Sequence, residues 1–174
     1  VLDLNGAISA GYDFAATFTE AGGAVRVAAA TATVTDPDST TLASLVITLT
    51  SRPDGALESL SASTAGTAIT ASYNPATGVL TLSGPDTAAA YQQVQRTVTY
   101  DNTSSAPSTT SRTLTFVASD GTGSSLVRTT TLTVAAVNDV PVLDLNGPDA
   151  GSSHAPTFTE GGGAVGLATA TATV

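Results

Sequence analysis

The carboxylates of this chain fall in short, spaced groups: Glu20 in "FTE", Asp36 and Asp38 in "TDPDS", Asp120 in "SDG", and Asn138 with Asp139 in "VND". Two chemistries suit such groups. Asp and Asn ahead of Gly or Pro fold back onto their own backbone and make turns, which accounts for Asp120 before Gly121 and Asp54 before Gly55. Asp-Pro-Asp fits that account less well, because two carboxylates two residues apart repel unless something positive lies between them. A hard divalent cation takes several oxygen ligands, carboxylates mixed with carbonyls, and loops at a domain junction can supply them.

Catalytic chemistry finds no comparable support. The single histidine is His154, so no Ser-His-Asp arrangement can form within residues 1–140. All five basic residues are Arg, which removes the Schiff-base and phosphate-loop lysines and leaves "EAGGAV" a glycine turn. A glycosidase reading would nominate Glu20 and Glu58, but nothing around them singles them out. The expectation is a protein that is not an enzyme.

The elements that position these residues are set by a duplication. "VLDLNG" at 1–6 returns at 142–147, "TFTE" at 17–20 returns at 157–160, and "AVRVAAATATV" at 24–34 returns as "AVGLATATATV" at 164–174. An offset of about 140 residues is the length of a domain and not of a solenoid motif. Residues 1–140 therefore read as one domain, "VNDVP" (137–141) as a linker, and 141–174 as the beginning of a second copy. Pro141 supports the linker, since it holds Val140 extended and cannot donate to a strand ladder.

Within the repeat, alternation of period two dominates. "ASLVITLTS" puts Leu45, Ile47 and Leu49 on one face, "VLTLSG" aligns Leu80 with Leu82, and "RTLTFVAS" aligns Leu114 with Phe116. Further strands are predicted at 67–73, 96–101 and 125–136. Thr at alternate positions suits strands with one wet face. The alternation slips by one residue after Val27, as it does after Leu167, predicting a kink near Val27 where the strand changes sheets. "PDTAAAYQQVQ" (85–95) is the exception to β: Ala-rich, with Asp86 as the expected cap and Tyr91 and Val94 on one side, it predicts a short helix. The sum is an all-β, Greek-key β-sandwich with a short helical insert.

Composition narrows the partners. Hydrophobic residues make up 41% and charged residues 11%, so the chain folds and is not a disordered segment. Net charge is −9 and the isoelectric point near 4.1, which argues against nucleic acid, whose binding needs clustered Lys and Arg. The absence of Cys leaves no disulfide or thiol chemistry, and no apolar run reaches the roughly 20 residues of a membrane span. With four Tyr, four Phe and no Trp, stacking platforms for a glycan are few. Asn102-Thr103-Ser104 is a formal sequon, read as an unmodified loop. Arg26, Arg96, Arg112 and Arg128 are scattered and read as solvating strand faces.

"FTEAGG", "ATVTDPDS", "FVASDGTG" and "LTVAAVNDVP", in this order, resemble the cadherin-like domain, and more closely the bacterial cadherin-like tandem repeats of large secreted adhesins. The resemblance covers the first copy and the start of the second. It implies β-sandwiches of cadherin or immunoglobulin type strung end to end, with calcium at the junctions. Asp36, Asp38 and Asp120 would then lie at the N-terminal end and meet a preceding linker; Glu20, Asn138 and Asp139 would lie at the C-terminal end and meet the next Asp-x-Asp loop. Each set is half a site. Ala136 stands where the animal family often has a further Asp, and no "LDRE" segment is present, which implies fewer or weaker ions. "PDTAAAYQQVQRTVTY" is typical of the bacterial branch alone. The function so implied is a non-catalytic stalk or adhesin repeat, secreted or at the bacterial cell surface, whose partners are neighbouring repeats of its own chain. The alternatives are a subunit of a self-assembling extracellular filament joined by strand addition, or a glycan-binding module.

Overall fold

The computed structural model describes residues 1–6 and 10–174. The chain divides into two compact units, Val1–Val137 and Asn138–Val174. Among its described residues the first holds eleven strands, one α-helix and a 3-10 turn at Gly55–Leu57: β1 (Leu2–Asp3), β2 (Phe14–Thr19), β3 (Val25–Arg26), β4 (Thr33–Val34), β5 (Thr41–Leu49), β6 (Glu58–Ser61), β7 (Thr70–Asn74), β8 (Val79–Thr87), α1 (Ala88–Gln95), β9 (Thr99–Asn102), β10 (Arg112–Ser119) and β11 (Arg128–Ala135). No helix among the described residues is long and apolar enough to cross a membrane.

These strands form a six-stranded sheet in the order β2-β11-β10-β5-β8-β7, a three-stranded sheet β3-β9-β6 and a two-stranded pair β1-β4. All neighbours are antiparallel except β2, which runs parallel to β11 from Phe14 against Thr130 to Thr19 against Ala135. The inward faces follow the alternation of the sequence: Leu45, Ile47, Leu80, Leu82, Leu114 and Phe116 are all buried. A register shift between Leu42 and Ser44 on β5 reverses the phase, so Leu42 and Leu45, three apart, both point into the core. Phe18 on β2 meets Tyr100 on β9 edge to face, with ring centroids 5.4 Å apart, and this contact joins the large sheet to the small one. The result is a mostly β domain with one short α-helix among the described residues, its sheets closed over a common apolar core.

The helix lies inside the segment expected, but its cap differs. Thr87, extended at φ −65° and ψ 154°, accepts from the Ala90 amide through its hydroxyl. Asp86 instead extends β8, and its carboxylate accepts from the Ala68 and Thr87 amides. Tyr91 and Val94 are buried as the helix packs on β4, β5 and β8. The predicted strands at 67–73, 96–101 and 125–136 correspond to β7, β9 and β11, each beginning three residues later than expected. β6 carries only four residues, Glu58–Ser61, too few for alternation to announce it.

Near Val27 the sequence predicted a kinked strand, and the structure has a break. β3 ends at Arg26; Val27, Ala28 and Ala29 are buried in succession, and the chain turns before resuming as β4 in another sheet. The Val27 amide donates to Val98, its carbonyl accepts from the Thr130 hydroxyl at 2.7 Å, and the Ala29 amide donates to Leu4. Three small side chains pack where a regular strand would expose every second one.

The second unit repeats the local geometry of the first. Asp3 accepts from the Asn5 and Gly6 amides, and Asp144 from those of Asn146 and Gly147. Ala29 donates to Leu4 at 2.8 Å, and Thr169 to Leu145 at 2.8 Å. Gly6 and Gly147 have φ of 57° and 64°, and a Cβ at either would collide with Thr31 or Thr171 respectively. What differs is burial. Leu2, Phe18, Val27 and Val34 lie in the core, whereas their counterparts Leu143, Phe158, Leu167 and Val174 are 56%, 68%, 78% and 95% exposed.

Candidate functional site

Two loops of the first unit bring three of the predicted carboxylates to one place. The chain leaving β4 carries Asp36 and Asp38, and the connection from β10 to β11 carries Asp120. All three line a cavity of about 320 Å³, together with Val1, Leu42 and Ser124. Its floor is the inner end of β5 and β10, so the sheet that pairs Leu45 with Ala118 also fixes the distance between the loops.

The Asp120 loop is built by its own side chains. Asp120 Oδ1 accepts from the amides of Thr122 at 2.8 Å and Gly123 at 2.7 Å, and both oxygens accept from the Thr122 hydroxyl at 2.9 Å. The Gly123 and Thr122 amides and that hydroxyl hold the Asp120 carboxyl below its ordinary range. Ser119 closes the loop by donating to Gly123 at 2.6 Å, and Gly121 at φ 97° makes the turn. Asp120 is thus a turn former and a committed anion at once; Oδ2, with a single partner, keeps lone pairs for another ligand.

Asp36 and Asp38 show the opposite tendency. The Asp38 carboxyl is raised above its ordinary value because it shares a hydrogen bond with Asp36 and lies in the negative field of Asp36 and Asp120. Among the described residues, the Asp38 amide donates to Asp36 Oδ1 at 3.4 Å, and no Arg, Lys or His side chain lines the cavity. Among the described residues no three His, Asp or Glu side chains gather closely enough to form a complete metal cage. The arrangement is an acidic recess with carboxylates from two loops.

The remaining sequence candidates lie elsewhere. Glu20 follows β2 and is nearly buried; its amide donates to Ala135 at 2.9 Å and its Oε2 accepts from the Val137 amide at 2.7 Å, tying the chain after β11 to the end of β2. Asn138 and Asp139 belong to the second unit, where the Asn138 side chain donates to the Asp139 carbonyl at 3.0 Å.

The charged cluster that sequence reasoning missed is internal. Arg112, read as solvating a strand face, is fully buried. It donates through Nε to Glu58 at 3.1 Å, through Nη2 to Asp54 at 2.6 Å and Glu58 at 3.2 Å, and through Nη1 to the carbonyls of Ser108 and Thr110. Tyr100 donates to Glu58 at 3.0 Å, and Asn102 to Asp54 at 2.7 Å. Burial works against ionisation of Asp54, but the Ser108 amide, Asn102 and Arg112 together bring its carboxyl below the ordinary range. Burial, then the charge of Glu58, push the Tyr100 phenol up. The cluster pins the loop from 103 to 111 to β6 and β9. It also occupies the sequon: Asn102 is buried with its amide nitrogen committed to Asp54. Two of the other scattered arginines, Arg96 and Arg128, also have partners. Arg96 donates to the Ala32 carbonyl, and Arg128 donates to the Leu2 carbonyl while its guanidinium lies 4.3 Å from the Tyr12 ring centre.

The chain matches no protein-family model, no curated protein and no solved structure.

Proposed function

We propose that this chain is a non-catalytic structural repeat of a long bacterial surface or secreted protein, a cadherin-like β-sandwich of Greek-key topology set in a tandem array whose junctions calcium stiffens. The observation that carries the reading is the meeting of Asp36, Asp38 and Asp120, from two separate loops, on one cavity that no Arg, Lys or His side chain lines. Turn chemistry accounts for Asp120 and leaves the Asp36–Asp38 pair unexplained. A calcium ion takes six to eight oxygens, and these carboxylates, each giving one oxygen, supply three, so the recess is half a site, and the linker of an adjoining repeat, with the character of Asn138 and Asp139, supplies the rest.

The work such a site does is mechanical. Without the ion, carboxylates of adjoining domains repel across a short linker and the junction swivels. With it, the same charges become a brace. At calcium about ten times its dissociation constant, linkage contributes roughly 1.4 kcal/mol per site, enough to bias a hinge and too little to be what folds the domain. Affinities of about 0.1–1 mM are expected for such extracellular modules.

The test is calorimetric titration with calcium of a chain holding two complete repeats. Saturable binding that disappears on replacing Asp36 and Asp38 of the second repeat with Ala supports the reading. Absence of heat at millimolar calcium sinks it and leaves those residues as loop formers.

A further inference from the structure

The six-stranded sheet of the first unit has two faces, and the core accounts for one. Along β5, β8 and β10 the inward positions are buried, while the alternate positions, among them Val46, Thr48, Thr81, Thr115 and Val117, are half-buried and look outward. Across the sheet the outward ladder positions carry Thr, Ser, Val and Ala with one Asn, and no ionisable side chain among the described residues. The ionisable residues of these strands, Asp86, Arg112 and Arg128, stand opposite Leu42, Leu132 and Phe116 and share their inward phase. Asp13, one residue ahead of β2, lies at the margin with its carboxylate accepting from the Thr129 amide. A solvated face ordinarily mixes charges of both signs. Depletion of charge from the middle of a patch is the compositional mark of a protein interface.

The centre of this face is apolar. Val46 pairs with Val117 where β5 meets β10, the middle of the six strands, and Val79 stands beside Thr48 on the next pair. Hydroxyls of Thr and Ser surround them. β-branched side chains are stiff at χ1, so ordering them costs little entropy. A hydroxyl both donates and accepts, so an array of hydroxyls is complementary to itself. Six strands at about 4.8 Å, by about six residues at roughly 3.3 Å, give roughly 600 Å² per partner and about 1,200 Å² in all, the lower end of a specific interface.

We propose that a second copy of this chain packs on this face, sheet against sheet about a two-fold axis, with Val46 and Val117 at the centre. Charge selects the face: two chains of net charge −9 repel through surfaces that carry Asp or Glu, and least through one that carries neither. Association therefore strengthens as ionic strength rises. It needs no calcium, so it stands or falls apart from the acidic recess.

The test is sedimentation equilibrium of the whole chain in chelator, from micromolar to near-millimolar concentration. The proposal requires a dimer that Val46→Glu weakens at least about tenfold, because the two-fold axis sets each new carboxylate near its own counterpart. Ser105→Glu, exposed in the loop from 103 to 111, leaves the dimer unchanged. An equal mixture of Val46→Glu and Val46→Lys chains associates more tightly than either alone. Thr115→Glu repeats the test from the neighbouring strand, so a misfolded Val46→Glu chain leaves it decisive. A wild-type chain that stays monomeric throughout, or a dimer indifferent to both Val46→Glu and Thr115→Glu, overturns the proposal.

Discussion

Replacing Arg112 with Met removes the one cation among Glu58, Asp54 and Tyr100 while keeping most of the volume. Both Arg112 and Glu58 are wholly buried, and Glu58 receives two of the guanidinium bonds. Taking away one partner of a buried pair strands the other charge, at a cost of about 3–5 kcal/mol. Two further bonds, to the Ser108 and Thr110 carbonyls, are lost with it, so the loop from 103 to 111 loosens in the same step. Against a typical domain stability of about 5–15 kcal/mol, the variant should unfold at markedly lower urea with an unchanged slope. Adding Glu58→Gln removes the stranded charge and should return about half of the loss, because Asp54 is still held by Ser108 and Asn102. The assay is urea unfolding of the two single variants and the double variant. A loss below about 1 kcal/mol for Arg112→Met, or no recovery in the double variant, would refute the claim that this cluster holds the loop by charge.

Four other outcomes follow from named atoms. The lowered Asp54 carboxyl contributes stability that is full above its unfolded value near pH 4 and is lost as pH falls through its folded one; Asp54→Asn should flatten the acid limb of a stability profile. Asp38 has the opposite sign, its raised value making ionisation unfavourable in the fold, so Asp38→Asn should raise the melting temperature at pH 7 in chelator and lose that advantage in acid. Gln95 is fully buried with neither amide atom bonded among the described residues, and Gln95→Met should gain about 1 kcal/mol in urea unfolding; a loss would mean that the amide has a water partner. Gly6→Ala should cost about 2 kcal/mol or more by the same measurement, since φ of 57° and the Thr31 carbonyl both oppose a Cβ.

Much of this fold was legible because alternation reports burial directly: Leu45, Ile47, Leu80, Leu82, Leu114 and Phe116 were all placed on inner faces by spacing alone. The Arg112 cluster was missed because residue type was weighed above phase. Arg112 stands in step with Leu114 and Phe116, Glu58 with Leu60, and Asn102 with Tyr100, each on the inward side of its strand. Three polar residues in core phase on three strands were the signal. The change of sheet near Val27 was legible in the slip of phase, but that the strand breaks there was not, since Ala tolerates both burial and exposure and its alternation carries little information. The helix cap went to Thr87 and not Asp86 because tertiary pairing of β8 with β5 carries the strand through Asp86. No pattern in the sequence could bring Asp36 and Asp38 beside Asp120, 82 residues further on, without the β5–β10 pairing that sets their loops side by side.

The central claim, that these carboxylates belong to a calcium-braced junction, is tested most directly by small-angle scattering from two complete repeats in calcium and after chelation. The account predicts a longer, stiffer particle in calcium that becomes shorter and more variable in chelator, with no such change in the chain carrying Asp36→Ala and Asp38→Ala in its second repeat. Identical scattering in both conditions would contradict it.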